Sequence, residues 1–206
     1  MKNKPQINYR RSIRLKDYDY SQAGGYFVTV CTQGGRYLLG EIIKGKMRKN
    51  EVAEMIESWW LKLKDKFTNV QLDEYVIMPN HFHGIIVIVG VDPCVNPEDQ
   101  KGEHMGSPLH RMIQWFKTMT TNEYIRNVNL SKWTPFSKRL WQRNYYEHVI
   151  RNEEKLNKIR QYIQNNPLSW HLDLENPERT GKDLLEEEIF DIRKTKLTNT
   201  VPNRGG

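Results

Sequence analysis

Between Gly24 and Phe67 the apolar positions change period twice. Tyr26-Phe27-Val28-Thr29-Val30-Cys31-Thr32 follows Gly24-Gly25 and is β-branched and aromatic, which predicts a strand. Gln33-Gly34-Gly35 signals a turn, and Tyr37 to Ile43 predicts a second strand. Lys44-Gly45-Lys46 is a tight turn into a short return at Met47 to Lys49. Asn50 is placed to cap a helix, with Glu51 and Glu54 in its first turns. Val52, Met55, Ile56, Trp59, Leu63 and Phe67 then recur at three-to-four spacing, one apolar helical face. The Trp59-Trp60 pair reads as core.

Val70 to Met78 predicts a strand, ended by Pro79-Asn80. His81 to Val89 predicts another, and its near-continuous apolar end suits a central strand covered on both faces. Residues 90–106 carry three Gly and two Pro without periodicity, a loop long enough to expect a role. Ser107-Pro108 opens a helix whose Leu109, Ile113, Phe116, Thr120 and Tyr124 line one face through about Asn127. Arg139 to Ile150 is partly extended. Asn152 caps a helix that runs to about Asn166, because Pro167 cannot continue it. Leu184, Leu185, Glu188 and Ile189 fit a further short helix. The order β-β-α-β-β-α-(β)-α predicts an α+β sandwich with helices on one face.

Composition narrows the function. The 206 residues suit one domain with extensions. Mean hydropathy is −0.78, polar for a globular protein, yet the 22 aromatic residues require a folded core. The longest apolar run, Ile85 to Val89, is far short of the roughly 20 residues of a membrane span. Met1 to Lys16 has no apolar core, so no secretory signal is expected. Cys31 and Cys94 make neither a disulfide framework nor a thiolate zinc site, and a cytoplasmic, nucleoid-associated protein is expected.

Charge is unevenly spread. The net charge is +7, and residues 173–191 hold eight acidic and two basic residues, so the rest carries +13. That favours a polyanionic partner. Residues 1–16 hold six cations and no anion, a basic arm for phosphates that includes Arg10, Arg11 and Arg14. Residues 138–160 hold seven cations against three anions, interleaved with aromatics. As a group, Arg139, Trp141, Arg143, Arg151, Lys155 and Lys158 suit a phosphate backbone and unpaired bases.

Two short motifs carry chemistry. In His81-Phe82-His83 the imidazoles are two apart on a strand and share a face, while Phe82 points into the core. Two neutral imidazoles at that spacing can hold one divalent cation. In Tyr162-Ile163-Gln164-Asn165-Asn166-Pro167, Tyr162 and Asn166 stand one helical turn apart, so a phenol and a carboxamide reach one ligand.

Tyr75 to His83 and the apolar strand after it resemble the His-hydrophobic-His motif of HUH single-strand DNA endonucleases. Trp141 to Glu154, followed by Tyr162-Ile163 and Asn166-Pro167, resembles the REP-associated tyrosine transposases, relatives of the single-tyrosine insertion-sequence transposases. The resemblance spans about Gly24 to Trp170. It implies a catalytic domain at 24–170, which leaves, by charge and composition, a basic arm at 1–23 and an acidic, then polar, tail at 171–206. It implies a ferredoxin-like antiparallel sheet with the histidines on a central strand, and a divalent metal, Mg²⁺ or Mn²⁺. By position, His81 and His83 match the metal-binding histidines, Tyr162 the nucleophile, and Asn166 a third, carboxamide ligand. The partner implied is single-stranded or hairpin DNA. Monomer and homodimer both occur among such relatives, with the tyrosine helix exchanged between subunits in the insertion-sequence group.

Nicking DNA while keeping the ability to reseal it needs a covalent intermediate. An unperturbed phenol is only ~0.1% ionised at neutral pH, so Tyr162 requires activation. Tyr145 and Tyr146 are rival nucleophiles by residue type, but neither has the helix and the Asn one turn on. His104, His110 and His148 are not expected to be ligands. Two other readings stay open: a catalytically silent hairpin-DNA-binding module, or a metal-dependent phosphodiesterase using water, with Asp73 or Glu74 completing its site.

Overall fold

A computed structural model describes residues 23–90 and 107–190. The basic arm with Arg10, Arg11 and Arg14, most of the 90–106 loop and the end of the tail lie outside the described residues. Four strands form one antiparallel sheet: β1 (Gly24–Cys31), β4 (Val70–Met78), β5 (His81–Ile88) and β6 (Tyr146–Ile150), in the order β4-β5-β1-β6. That is the ferredoxin-like strand order, with helices α1 (Glu51–Leu61) and α3 (Pro108–Asn129) in the two crossovers. A separate hairpin of β2 (Gly40–Ile43) and β3 (Lys46–Lys49) precedes α1. Its turn places Lys44 and Gly45 both at positive φ, the conformation a two-residue hairpin turn demands. Among the described residues no helix is long and apolar enough to cross a membrane.

The α+β class is as expected, and the helix layer is double. Tyr26, Val28 and Val30 of β1 and Phe82, Ile86 and Ile88 of β5 pack with α1 and α3 on one face. Phe27 and Ile85, one position out of phase, pack with α4 (Glu153–Asn165) and α5 (Leu184–Phe190) on the other. The single-layer expectation therefore holds for the crossover helices, while the two C-terminal helices cover the opposite face. Both faces of β5 are covered, which its apolar end required.

Local differences have simple causes. The predicted helix over 51–67 divides at Lys62 into α1 and the short α2 (Leu63–Lys66). Trp60, not Trp59, is its fully buried tryptophan, packed against Phe82 with ring centroids 4.5 Å apart. Gly84 on β5 makes that approach possible: a Cβ there would stand 2.5 Å from Trp60 Cζ2. The predicted strand over 37–43 shortens to Gly40–Ile43, and Leu39 just before it is fully buried. Asn50 and Ser107 cap α1 and α3 as read, accepting from the Ala53 and His110 amides.

Candidate active site

His81 and His83 lie at the start of β5 on the α4 side of the sheet, their ring centroids 4.3 Å apart. Phe82 points the other way, into the core with α1 and α3. The sheet fixes both rings. Asn80 Nδ2 donates to the carbonyls of Glu175 (2.8 Å) and Gly35 (3.4 Å), so its Oδ1 is the atom left to face His81. Oδ1 only accepts, so His81 donates from Nδ1, at 2.8 Å, and in the neutral ring its Nε2 carries the lone pair. His83 Nδ1 is bonded to Thr29 Oγ1 of the neighbouring strand at 2.9 Å, which likewise turns Nε2 towards the site.

Asp173 completes the group. Its Oδ2 stands 3.8 Å from His81 Nε2 and 3.9 Å from His83 Nε2. One ligand atom from each of the three buried residues falls within 4.8 Å of the others. Asp173 arrives there because α4 ends at Asn165 and the chain reverses through a 3₁₀ turn at Trp170–Leu172. Its Oδ1 accepts from the Glu175 amide and its Oδ2 from Asn166 Nδ2, each at 2.7 Å. Burial pushes the Asp173 carboxyl up, but the positive charge of His81 and His83 when their rings are protonated, with hydrogen bonds from His83 and Asn166, outweighs that and holds it well below the usual carboxylate range.

The donor set fits a divalent cation. Two imidazole nitrogens and a buried carboxylate converge, and a carboxylate buried there needs positive charge beside it, from a cation or from protons on the rings. Asn166 Oδ1 is buried and makes no hydrogen bond among the described residues, so a carboxamide acceptor is also available beside Asp173.

Tyr162 meets this group from α4. Asn152 starts that helix by accepting from the Lys155 amide, as its sequence predicted. Tyr162 Oη lies 3.4 Å from His83 Nε2, and its ring packs edge-on against Phe27. Oη also donates to Glu186 Oε1 of α5 at 3.1 Å. Phe190, one turn on, lies over Phe27 and Tyr162. With α5 in place Tyr162 is 1% exposed and Glu186 3%.

The fold thus brings together His81, His83, Tyr162 and Asn166, and adds Asp173 and Glu186, which sequence reasoning missed. Asp173 and Glu186 sit in the acidic stretch that had no assigned role; the only signal was a set of apolar residues, Leu184, Leu185, Ile189 and Phe190, around Glu186. Asp73 and Glu74, considered as the carboxylates of a water-using site, are instead held by Arg160 and Gln164 of α4. Among the proposed DNA-binding residues, Arg139, Arg143 and Arg151 are exposed. Trp141 is not available to stack on a base: it is 3% exposed and donates from Nε1 to Thr120. Lys155 and Lys158 turn towards α5, donating to the Glu188 carbonyl and carboxylate respectively. Tyr145 is buried and Tyr146 lies on β6, against Phe27 and Phe190.

No family model matches the sequence. An uncharacterized protein of Haemophilus influenzae is 37% identical over 176 residues, which cover 81% of this chain and 93% of that one. At that identity and coverage the two belong to one family. Among solved structures, a REP-associated tyrosine transposase bound to a REP hairpin aligns with a TM-score of 0.50 at 18% identity. The alignment covers 77% of this chain and 74% of that one, and it shows the shared fold.

Proposed function

We propose that this chain, a member of the family of the Haemophilus influenzae protein and built on the fold of a REP-associated tyrosine transposase, nicks and rejoins single-stranded DNA, with Tyr162 as nucleophile. The observation that carries the reading is a phenol oxygen 3.4 Å from an imidazole Nε2 that converges with a second imidazole and a buried carboxylate. A nucleophile beside a cation site is the arrangement phosphoryl transfer needs.

His81, His83 and Asp173 are the residues that would hold a divalent ion, with Asn166 Oδ1 beside them. Bound there, the ion would polarise a phosphate oxygen and offset charge in the transition state. Two nitrogens in the set suit Mn²⁺ better than Mg²⁺. Tyr162 Oη attacks the scissile phosphorus, the bond from phosphorus to the 3′ oxygen breaks, and a 5′-phosphotyrosine and a 3′-hydroxyl result. The phenol gives up its proton and the departing 3′ oxygen takes one from solvent. Return of a 3′-hydroxyl to the phosphotyrosine reverses each bond change and rejoins the strand. Glu186 and Phe190 cover Oη, so a phosphodiester reaches it when α5 gives way. Hairpin DNA is the substrate this reading favours, its phosphates tracked by exposed Arg139, Arg143 and Arg151 and by the basic arm.

The test is an adduct assay with end-labelled hairpin oligonucleotides drawn from the flanks of the gene, with Mn²⁺ or Mg²⁺. A metal-dependent, detergent-stable adduct in the wild type, absent in Tyr162→Phe and in His81→Ala, is expected. Cleavage without adduct that survives Tyr162→Phe would overturn it in favour of a water nucleophile at the His-His-Asp group. Tight hairpin binding without cleavage would overturn it in favour of a silent binding module.

A further inference from the structure

Strand β4 contains a register shift that acts on the nucleophile helix. Leu72 pairs with Ile86 of β5, yet Tyr75, three residues later, pairs with Gly84, only two residues along its partner. One extra residue is therefore inserted in β4, as in a β-bulge. Leu72 and Tyr75 both pack on the core face with α1 and α3, although three residues apart in a regular strand would fall on opposite faces. The two residues between them, Asp73 and Glu74, consequently share the other face, the one that α4 covers.

Helix α4 meets them with two side chains one turn apart. Arg160 donates from Nε to Asp73 Oδ1 at 2.9 Å and from Nη2 to Oδ2 at 2.6 Å, a two-pronged fork on one carboxylate. Gln164 Nε2 donates to Glu74 Oε1 at 3.2 Å. Two grips separated by a turn fix the roll of a helix as well as its height along the strand. Tyr162 lies midway between them in sequence and on a different side of the helix, against Phe27 and His83. A regular strand would have sent one of the two carboxylates into the core face.

We propose that the Asp73–Glu74 bulge is the positioning element for the nucleophile helix, with Arg160 as its principal grip, and that it sets Tyr162 Oη in line with the His-His-Asp group. The inference rests on Tyr162 being the nucleophile. Arg160 and Asp73 are positioning residues: neither reaches the reacting atoms. Asp73 carries no metal role here, because its carboxylate is occupied by the guanidinium.

The experiment compares Arg160→Ala, Arg160→Lys and the exchanged pair Asp73→Arg/Arg160→Asp with the wild type. Adduct formation is measured at saturating hairpin oligonucleotide and Mn²⁺. Mispositioning of about an ångström costs on the order of 100-fold in rate, so a fall of roughly 10- to 100-fold is expected in Arg160→Ala. Arg160→Lys, which keeps the charge and loses the fork, is expected to fall nearly as far. Hairpin affinity and the Mn²⁺-induced thermal shift should stay within about twofold of wild type. The exchanged pair should recover part of the rate. A role in stability alone would lower the melting temperature and leave the rate of the folded protein unchanged, and that result would overturn the proposal.

Amide hydrogen exchange reads the same cradle without any activity. Protection lost across α4 in Arg160→Ala, with β1 and β5 unchanged, supports it, and unaltered protection in α4 overturns it. If the wild type forms no Tyr162-dependent adduct, the functional reading fails by itself and the exchange data still decide the cradle.

Discussion

Substituting Asp173 by Asn tests the proposed metal site most directly. The change keeps the shape and removes the only anionic member of the group. The apo protein should tolerate it, because Asn166 can turn its amide and offer Oδ1 to the new NH₂ where Nδ2 now meets Asp173 Oδ2. In the wild type, Mn²⁺ at 100 times its dissociation constant stabilises the folded state by about 2.7 kcal/mol. For a domain of this size, roughly 2–4 °C of melting temperature accompanies each kcal/mol, so a rise of about 5–11 °C is expected. Losing a residue that only orients a ligand costs on the order of 10- to 100-fold in affinity, and losing the ligand itself costs at least the upper figure. At the same Mn²⁺ concentration the variant then binds near its dissociation constant and gains only about 0.4 kcal/mol, or ~1–2 °C. The assay is a melting curve with and without Mn²⁺, with chelator reversing the shift. An Asp173→Asn protein that rises as far as the wild type would refute the assignment of Asp173 as a ligand.

Three other expectations follow from the packing. Glu186→Gln keeps a hydrogen-bond acceptor on Tyr162 and removes a buried carboxylate 3.1 Å from the phenol oxygen that a phosphate must approach, so adduct formation should quicken several-fold; slower adduct formation would show that Glu186 instead takes the phenol proton. Gly84→Ala drives a Cβ into Trp60 and Phe82, and chemical denaturation should show a loss of about 1–3 kcal/mol; an unchanged midpoint would mean that the β5–Trp60 contact is looser than described. Burial, with Arg139 nearby, lowers the Lys117 ammonium to about 8, so the unfolded chain binds more protons between that pH and about 10.4 and stability should rise with pH over this window. The rise should vanish in Lys117→Met when urea midpoints are compared across the same range, and a variant with the same slope would sink the argument.

The two motifs were legible because each depends on a local period. Residues i and i+2 of a strand share a face wherever the strand lies, and so do i and i+4 of a helix. His81 and His83 therefore converge, and Tyr162 stands one turn from Asn166, before any tertiary contact is known. The caps at Asn50, Ser107 and Asn152 were readable for the same reason, since a cap bonds amides only two or three residues on. Spacing puts Trp59 on the apolar face, and the pair reads as core; the structure buries Trp60 fully, in the gap that Gly84 leaves on β5, and packs Trp59 half-buried against the same core. Trp141 looked like a base-stacking aromatic in a basic strip, and its burial against α3 depends on contacts far along the chain.

What the sequence determined by itself was the class of chemistry: paired imidazoles, a phenol on a helix, a basic body, and the strand and helix order of the ferredoxin-like unit. What tertiary structure decided was the completion and aiming of the site. Asp173 reaches the histidines from some ninety residues away, and Glu186 reaches Tyr162 from a helix in the acidic stretch. Neither carries a periodic mark, because a single carboxylate among eight gives no sign of which one the chain will bury. The bulge was equally silent, since one inserted residue leaves a β-rich run looking like a strand while reversing which face every later side chain takes. Short-range periodicity follows from covalent geometry and travels with the sequence. The partner of a buried charge follows from where two distant segments pack, and that is settled only when the whole chain has folded.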